Sequence, residues 1–167
     1  VLGVKRAAKA AHAVGAKLML DGCQAAPRMR LNMAELGCDF YVMSGHKLYG
    51  PTGVGVLWAK AETLDSMPPW QGGGDMIRSV SFEGTTFREP PARFEAGTPP
   101  IGEAIGLGAA ARWLMAQDLE GLNRHEDELL AYFKKRLGLS DAEYDRVMAE
   151  DGRVPIFITP DRILGVP

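Results

Sequence analysis

The stretch SGHKLYGPTG, residues 44–53, underlies the fold prediction because it lies between two short apolar runs, DFYVM at 39–43 and VGVLWA at 54–59. A third apolar run, KLML at 17–20, ends at Asp21. Short strands separated by helical segments are typical of a mainly parallel sheet flanked by helices, so we predict an α/β fold. Ligands of such sheets bind just beyond the strand ends, which is where Asp21 and the 44–53 loop lie.

Helical patterns account for most of the remaining chain. The Ala-rich segment 4–14 is followed by Gly15, a residue type that commonly ends helices, and Asn32 is placed to cap a short helix that ends at Gly37. The other predicted elements are helices at 101–117, 119–137 and 140–149, the last capped by Ser140, and a strand at 154–159. The Pro- and Gly-rich segments 67–75 and 82–100 are predicted to be irregular, and the first of them to be a flexible loop.

The composition excludes several functional classes. A chain of 167 residues with 46% hydrophobic and 24% charged residues has the length and balance of an ordinary globular domain. A net charge of −2 gives no reason to expect a nucleic acid or an anionic membrane as partner. The two cysteines have no metal-ligand spacing, so we expect no metal site and a reducing, cytoplasmic location. The first residue is Val rather than Met, which suggests a fragment.

Lys47 and Asp21 are the candidate chemical residues. Lysine is usually a solvated surface group, but Lys47 lies in a glycine-bounded loop beside Ser44 and His46. An acid that ends a strand is often a turn former, but a carboxylate there also suits a pyridinium N–H. A lysine that binds an aldehyde and a carboxylate that keeps a ring nitrogen protonated are the pair that pyridoxal phosphate (PLP) requires. Gln24, three residues after Asp21, has two interpretations: a donor to the phenolic oxygen of the cofactor, or a surface residue of the loop.

The motifs of this chain resemble those of Suf-type cysteine desulfurases, in the class V aminotransferase-like group of fold-type I PLP enzymes. The resemblance is carried by DGCQAAP, CDFYVMSGHKLYGPTGVGVLW, MPPWQGGGDMI, EGTTF and RFEAGTPP, in the family's order. It implies that residues 1–137 are the later part of the PLP-binding large domain, which is incomplete here. Residues 138–167 depart from the family and are treated as a tail.

The resemblance also implies a role for each site residue. Lys47 would bind the PLP aldehyde as a Schiff base, Asp21 would pair with the ring nitrogen, and Gln24 would bind the ring oxygen. Ser44 and His46 would hold the cofactor phosphate.

A residue of a second subunit completes the implied site. Thr98 would reach the phosphate bound by the other subunit, which implies a homodimer. His12 and His125 lie on predicted helices without chemical neighbours, and we assign them no role.

The implied reaction removes sulfur from L-cysteine, giving L-alanine and an enzyme persulfide that passes to a sulfur-acceptor protein for iron–sulfur cluster assembly. The family's catalytic cysteine is not matched. Cys23 stands where the family usually has Ala, and Cys38 opens a strand, so we expect the chain alone to be inactive. Three alternatives remain: a selenocysteine lyase acting on L-selenocysteine, another class V PLP enzyme, and a non-catalytic PLP-binding or dimerising remnant.

Overall fold

The structure is a computed structural model that describes residues 3–150, and these fall into two compact units. The first comprises residues 5–116, and the second comprises 117–150 together with 3–4. The helices are α1 (Val4–Ala13), α2 (Met33–Leu36), α3 (Ala61–Asp65), α4 (Ile101–Met115), α5 (Leu119–Leu137) and α6 (Asp141–Glu150), with 3-10 helices at Gly45–Leu48 and Ala92–Phe94. The strands are β1 (Met19–Asp21), β2 (Phe40–Ser44), β3 (Gly55–Ala59), β4 (Ile77–Val80) and β5 (Thr85–Phe87).

The main sheet has the order β1-β2-β3 and is mixed rather than mainly parallel. Strands β1 and β2 are parallel, with α2 in the connection between them. Strand β3 is antiparallel to β2, with Ser44 opposite Gly55. The prediction of a mainly parallel sheet did not assign a direction to this strand. Only the segment 45–54 joins β3 to β2, and a parallel crossover needs about a dozen residues or more. The α/β class itself is confirmed.

A β-hairpin occupies part of the region that was predicted to be irregular. Strands β4 and β5 pair antiparallel, and the Ser79 and Thr86 hydroxyls hydrogen-bond across them at 2.6 Å. The turn between them is closed by the Ser81 N–H, which donates to the Gly84 carbonyl at 2.9 Å. The prediction that 82–100 has no regular structure is therefore wrong at β5 and at the 3-10 helix Ala92–Phe94, whereas 67–75 contains no helix or strand, as predicted.

The predicted helix ends are confirmed where the local chemistry is strong. Gly15 follows α1 with φ +73°, a left-handed conformation that glycine adopts at low cost. The Asn32 side chain accepts a hydrogen bond from the Ala34 N–H at 3.1 Å and caps α2. In the second unit, Ser140 and Glu143 form reciprocal hydrogen bonds at the start of α6. The strand predicted at 154–159 lies outside the described residues.

A buried carboxylate fixes the end of the main sheet opposite to Ser44. Asp39, just before β2, has 2% of its side chain exposed. It accepts hydrogen bonds from the Leu18 N–H at 2.8 Å and the Lys60 ammonium at 3.1 Å, and lies 2.7 Å from His12 on α1. His12, for which the sequence suggested no role, is therefore structural. Because Leu18 precedes β1 and Lys60 follows β3, these contacts hold all three strands and α1 at this end.

Candidate active site

The candidate site lies at the carboxyl ends of the parallel strands β1 and β2. Asp21 is the last residue of β1 and is aligned with Val42, two residues before the end of β2 at Ser44. The 3-10 helix Gly45–Leu48 follows immediately and leaves the side chain of Lys47 exposed. Parallel pairing thus brings Asp21 and the segment that contains Lys47, 26 positions later in the sequence, to one edge of the sheet.

Asp21 is an exposed, ionised carboxylate. Its Oδ1 accepts a hydrogen bond from the Cys23 N–H at 2.9 Å. Hydrogen bonds from the side chain and the backbone of Cys23 lower the pKa of Asp21, slight burial opposes them, and the nearby positive charge of Lys47 adds to the lowering. The two residues that the sequence singled out are therefore electrostatic neighbours.

Position 22 must be a glycine because the ring of Tyr41, on the neighbouring strand β2, leaves no room for a side chain. Its N–H donates to the Val42 carbonyl at 2.9 Å, and its own carbonyl accepts a hydrogen bond from the buried Tyr41 hydroxyl at 3.2 Å. A Cβ at this position would overlap the Tyr41 ring. The glycine therefore lets the chain turn after Asp21 while it stays hydrogen-bonded to β2.

Cys23 connects the two strand ends, a role that the sequence did not suggest. Its thiol is 3.4 Å from the Ser44 hydroxyl and only 8% of the residue is exposed. The other cysteine, Cys38, is fully buried at the opposite end of β2, and burial raises the pKa of its thiol. The position of Cys23 inside the DGxQ motif could have indicated that it lies at the site. Its contact with Ser44 could not be predicted, because the two residues are 21 positions apart in the sequence.

Helix α4 packs against residues 49–51, which directly follow the 3-10 helix that contains Lys47. A Cβ on Gly50 would lie 3.1 Å from the Leu107 side chain, and one on Gly106 would lie 3.1 Å from Pro51. Small residues at both positions therefore allow the loop and the helix to approach closely. The Tyr49 ring also meets Trp113 edge to face at 5.2 Å, next to a shallow cavity of about 400 Å³ between loop and helix.

For the other predicted site residues, Gln24, His46 and Thr98, the structure shows exposure but no hydrogen bond or ion pair with Asp21 or Lys47 among the described residues. Gln24 and His46 are exposed near Asp21 and Lys47 in sequence. Thr98 is exposed in a different segment, which is held by the Gly97 N–H donating to the Gly74 carbonyl at 2.9 Å. Within residues 3–147 no side-chain hydrogen bond or ion pair joins Thr98 to Lys47.

The residues at this edge fit PLP chemically. An exposed primary amine can bind an aldehyde, an ionised carboxylate can pair with a pyridinium N–H, and the Ser44 hydroxyl and His46 imidazole are phosphate ligands.

No group of three or more His, Cys, Asp and Glu side chains in the described part of the chain is arranged to hold a metal ion. The same part contains no helix that is both long and apolar enough to cross a bilayer.

Comparison with protein families gives the class of protein. Residues 1–152 match the model described as aminotransferase class-V, and the chain belongs to this family. Its members are PLP enzymes. The resemblance noted in the sequence is thereby confirmed at the level of the family.

Individual relatives narrow the likeness to cysteine desulfurases. A cysteine desulfurase of Dickeya dadantii is 52% identical over 123 residues, which are 73% of this chain and 30% of that protein. The cysteine desulfurase CsdA of Escherichia coli, in an S-sulfonic acid form, superposes with a TM-score of 0.77 at 43% identity, covering 81% of this chain and 34% of that one. The apo cysteine desulfurase of Thermococcus onnurineus gives 0.74 at 40% identity, with the same coverage. The chain spans about a third of the length of these relatives.

Proposed function

We propose that this chain is the lysine-bearing part of the cofactor domain of a PLP-dependent cysteine desulfurase, with L-cysteine as substrate. The observation that carries the proposal is the placement of Asp21 and the Lys47 loop at one sheet edge, where the positive charge of Lys47 contributes to the lowered pKa of Asp21. Relatives named cysteine desulfurases that match 73–81% of the chain support the substrate class. On this basis we assign residues 1–137 to the large domain and residues 138–167 to a tail, although the match to the family itself extends to residue 152.

The proposed roles follow from the chemistry of each side chain. Bound PLP supplies an electron sink for the substrate α-carbon. Lys47 would bind the cofactor aldehyde through Nζ, and its amine would take the α-proton of the substrate as general base. Asp21 keeps the ring nitrogen protonated, and Gln24 donates to the ring oxygen.

The phosphate end of the cofactor is held by separate residues. Ser44 donates its hydroxyl proton to the phosphate, and His46 binds the phosphate through its imidazole. Thr98 binds the phosphate held by a second copy of the chain, so the working form is a homodimer. The exposure of Thr98 is compatible with this role.

The whole enzyme would release L-alanine and carry the sulfur as a cysteine persulfide to an acceptor protein for iron–sulfur cluster assembly. We place it in the cytoplasm, where a reducing environment keeps thiols free. Cys23 and Cys38 are both free thiols.

The test is to locate the lysine that binds PLP. Full-length enzyme is loaded with PLP and reduced with borohydride, and the pyridoxyl adduct is mapped by mass spectrometry. The adduct is expected on Lys47 and is lost in Lys47→Ala. Lys9→Ala is the matched control, since it removes an exposed lysine on α1, and it should leave the adduct unchanged. An adduct that persists in Lys47→Ala would refute the proposal.

A further inference from the structure

Arg93 joins three separate segments of the first unit through its guanidinium group. Its Nε donates a hydrogen bond to the Arg88 carbonyl at 3.1 Å, and its Nη1 donates to the carbonyls of Asp65 and Met67 at 3.2 and 3.3 Å. Only 18% of the Arg93 side chain is exposed, against 48% for Arg88. The side chain thus ties the 3-10 helix Ala92–Phe94 to the end of α3 and to the residue that follows β5.

The carbonyl contacts of Arg93, rather than its ion pair, account for this connection. The ion pair is with Glu89, at 3.3 Å, and the Glu89 side chain is 67% exposed and also contacts Arg78. An exposed ion pair contributes little, because water screens the charges. The guanidinium is planar and holds its N–H donors in a fixed arrangement, which lets one side chain reach three carbonyls at once. A lysine has a single nitrogen in their place and cannot reproduce the arrangement.

Thr98 lies five positions after Arg93, in a stretch of chain that is held at both ends. At the first end, Arg93 binds the Met67 carbonyl. At the second, the Gly97 N–H donates to the Gly74 carbonyl at 2.9 Å. Both acceptors belong to the Pro- and Gly-rich loop, so the loop and the stretch that ends at Thr98 are fastened together at two points.

The position of Thr98 depends on this fastening. Without the guanidinium, the start of the stretch would be held by a 3-10 helix of three residues, a type of helix whose own hydrogen bonds have poor geometry. Local fluctuations increase where few contacts remain. A side chain that binds a phosphate needs a backbone fixed by supporting contacts of this kind.

We propose that Arg93 is a positioning residue that fixes the backbone before Thr98 and so lets Thr98 bind the phosphate of PLP held by a second copy of the chain. This role rests on the proposed function and adds to it a residue that acts through Thr98. Because Thr98 serves the site of the other copy, loss of Arg93 should weaken that site and leave the Lys47 site of its own subunit unchanged. A general loss of stability would weaken both.

The first experiment compares a cofactor that has the phosphate with one that lacks it. Full-length apoenzyme is titrated with PLP and with pyridoxal, and binding is measured as the borohydride-fixed adduct on Lys47. Arg93→Ala should weaken PLP binding roughly 3- to 10-fold, as for one lost hydrogen bond, and leave pyridoxal binding unchanged. Arg93→Lys keeps the charge and should recover only part of the loss. Arg78→Ala removes the other arginine that contacts Glu89 and, as the matched control, should bind PLP like the wild type.

Mixed dimers show in which subunit Arg93 acts. In the first dimer, a Lys47→Ala subunit is paired with an Arg93→Ala subunit, so the remaining Lys47 is served by a partner with Arg93 intact. In the second, a subunit with both changes is paired with a wild-type subunit, so the remaining Lys47 is served by a partner without Arg93. The first dimer should bind PLP with wild-type affinity, and the second should show the full loss. The reverse pattern, or an equal loss in both, would overturn the proposal.

A double variant tests whether the effect passes through Thr98. In a Thr98→Ala background, Arg93→Ala should cause no further loss of PLP affinity. A full additional loss, or complete recovery in Arg93→Lys, would show that Arg93 acts by another route and would overturn the proposal. The same mixed dimers are also made with Arg93→Lys, which keeps the charge and most of the side chain, so the test does not depend on the folding of one variant.

The outcome also distinguishes this proposal from the proposed function. PLP bound at Lys47 with an unchanged ratio of PLP to pyridoxal affinity in Arg93→Ala would overturn the role of Arg93 and leave the proposed function standing. Absence of the Lys47 adduct in the wild-type enzyme would overturn both.

Discussion

His12 Nε2 lies 2.7 Å from Asp39 Oδ2, although 27 residues separate them in the sequence. The carboxylate also receives the Leu18 N–H at 2.8 Å and the Lys60 ammonium at 3.1 Å, with Lys17 at 3.8 Å. Through Asp39, the sheet is tied to helix α1 at the end opposite to Ser44. These contacts help to fix the alignment of β1 with β2, which places Asp21 at the same sheet edge as the Lys47 loop.

Removing the Asp39 charge should destabilise the protein. In Asp39→Asn the Lys60 ammonium faces a neutral amide. The amide has a single oxygen to accept the hydrogen bonds that two carboxylate oxygens accept in the wild type. We expect the free energy of unfolding to fall by roughly 1–3 kcal/mol, less than for a fully buried ion pair because 29% of the Lys60 side chain is exposed. Urea unfolding of the purified protein measures this, with the exposed Asp65→Asn as the control. Equal stability of the two variants would show that the Asp39 charge is dispensable.

The contribution of Asp39 should disappear in acid. Burial alone would raise the pKa of Asp39, but hydrogen bonds from Leu18, His12 and Lys60 together hold it well below its usual range. A lowered folded-state pKa stabilises the protein above the unfolded pKa of about 4, and this stabilisation is lost as the pH falls towards the folded value. The difference in stability between wild type and Asp39→Asn should therefore narrow below about pH 4. A difference that stays constant down to about pH 2 would contradict this.

The elements that could be predicted from the sequence are those with local signals. Gly15 and Asn32 end and begin helices through their own conformation and side chain, so the predicted boundaries are close to the observed ones. The antiparallel pairing of β3 and the β4–β5 hairpin depend on loop length and cross-strand contacts. Periodicity in a single segment does not contain that information.

The same distinction applies to the candidate site. Asp21 and Lys47 could be proposed because each lies in a motif with its own chemical pattern, and the fold then makes them neighbours. The His12–Asp39 and Cys23–Ser44 pairs could not, because their partners are 27 and 21 residues apart. On an Ala-rich helix, His12 has the pattern of a solvated residue.

Gly22→Ala should disrupt the site through steric overlap. The added Cβ would overlap the Tyr41 ring, and overpacking of this kind typically costs about 1–3 kcal/mol. Chemical unfolding should show a loss in this range, whereas Gly102→Ala on α4, where a Cβ meets no atom within 4 Å, should be neutral or stabilising. Combining Gly22→Ala with Tyr41→Val should cost less than the sum of the two single changes. If the stability losses of the two single variants simply add up in the double variant, the Cβ added at position 22 and the Tyr41 ring do not clash in the folded protein.

Asp21→Ala should impair turnover more than cofactor retention in the full-length enzyme. Asp21 holds PLP by one charge-assisted contact, so PLP affinity should fall roughly tenfold. Alanine formation from L-cysteine should fall by at least about a hundredfold, because the ring nitrogen no longer has a partner that keeps it protonated. Glu35→Ala, at an exposed position of α2, is a control of the same charge change. Wild-type turnover with PLP bound would identify Asp21 as a turn former only.

The 167-residue polypeptide alone should release no alanine from L-cysteine, because neither of its thiols is suited to attack the substrate sulfur. Cys38 is fully buried, and burial raises the pKa of its thiol, which leaves little of the reactive thiolate. Cys23 has 8% of its surface exposed and its thiol is hydrogen-bonded to Ser44. The assay measures alanine and sulfide from the purified polypeptide with PLP and a reductant, with full-length enzyme as the positive control. Turnover that disappears in Cys23→Ser but persists in Cys38→Ser would contradict the prediction and would identify Cys23 as the nucleophile.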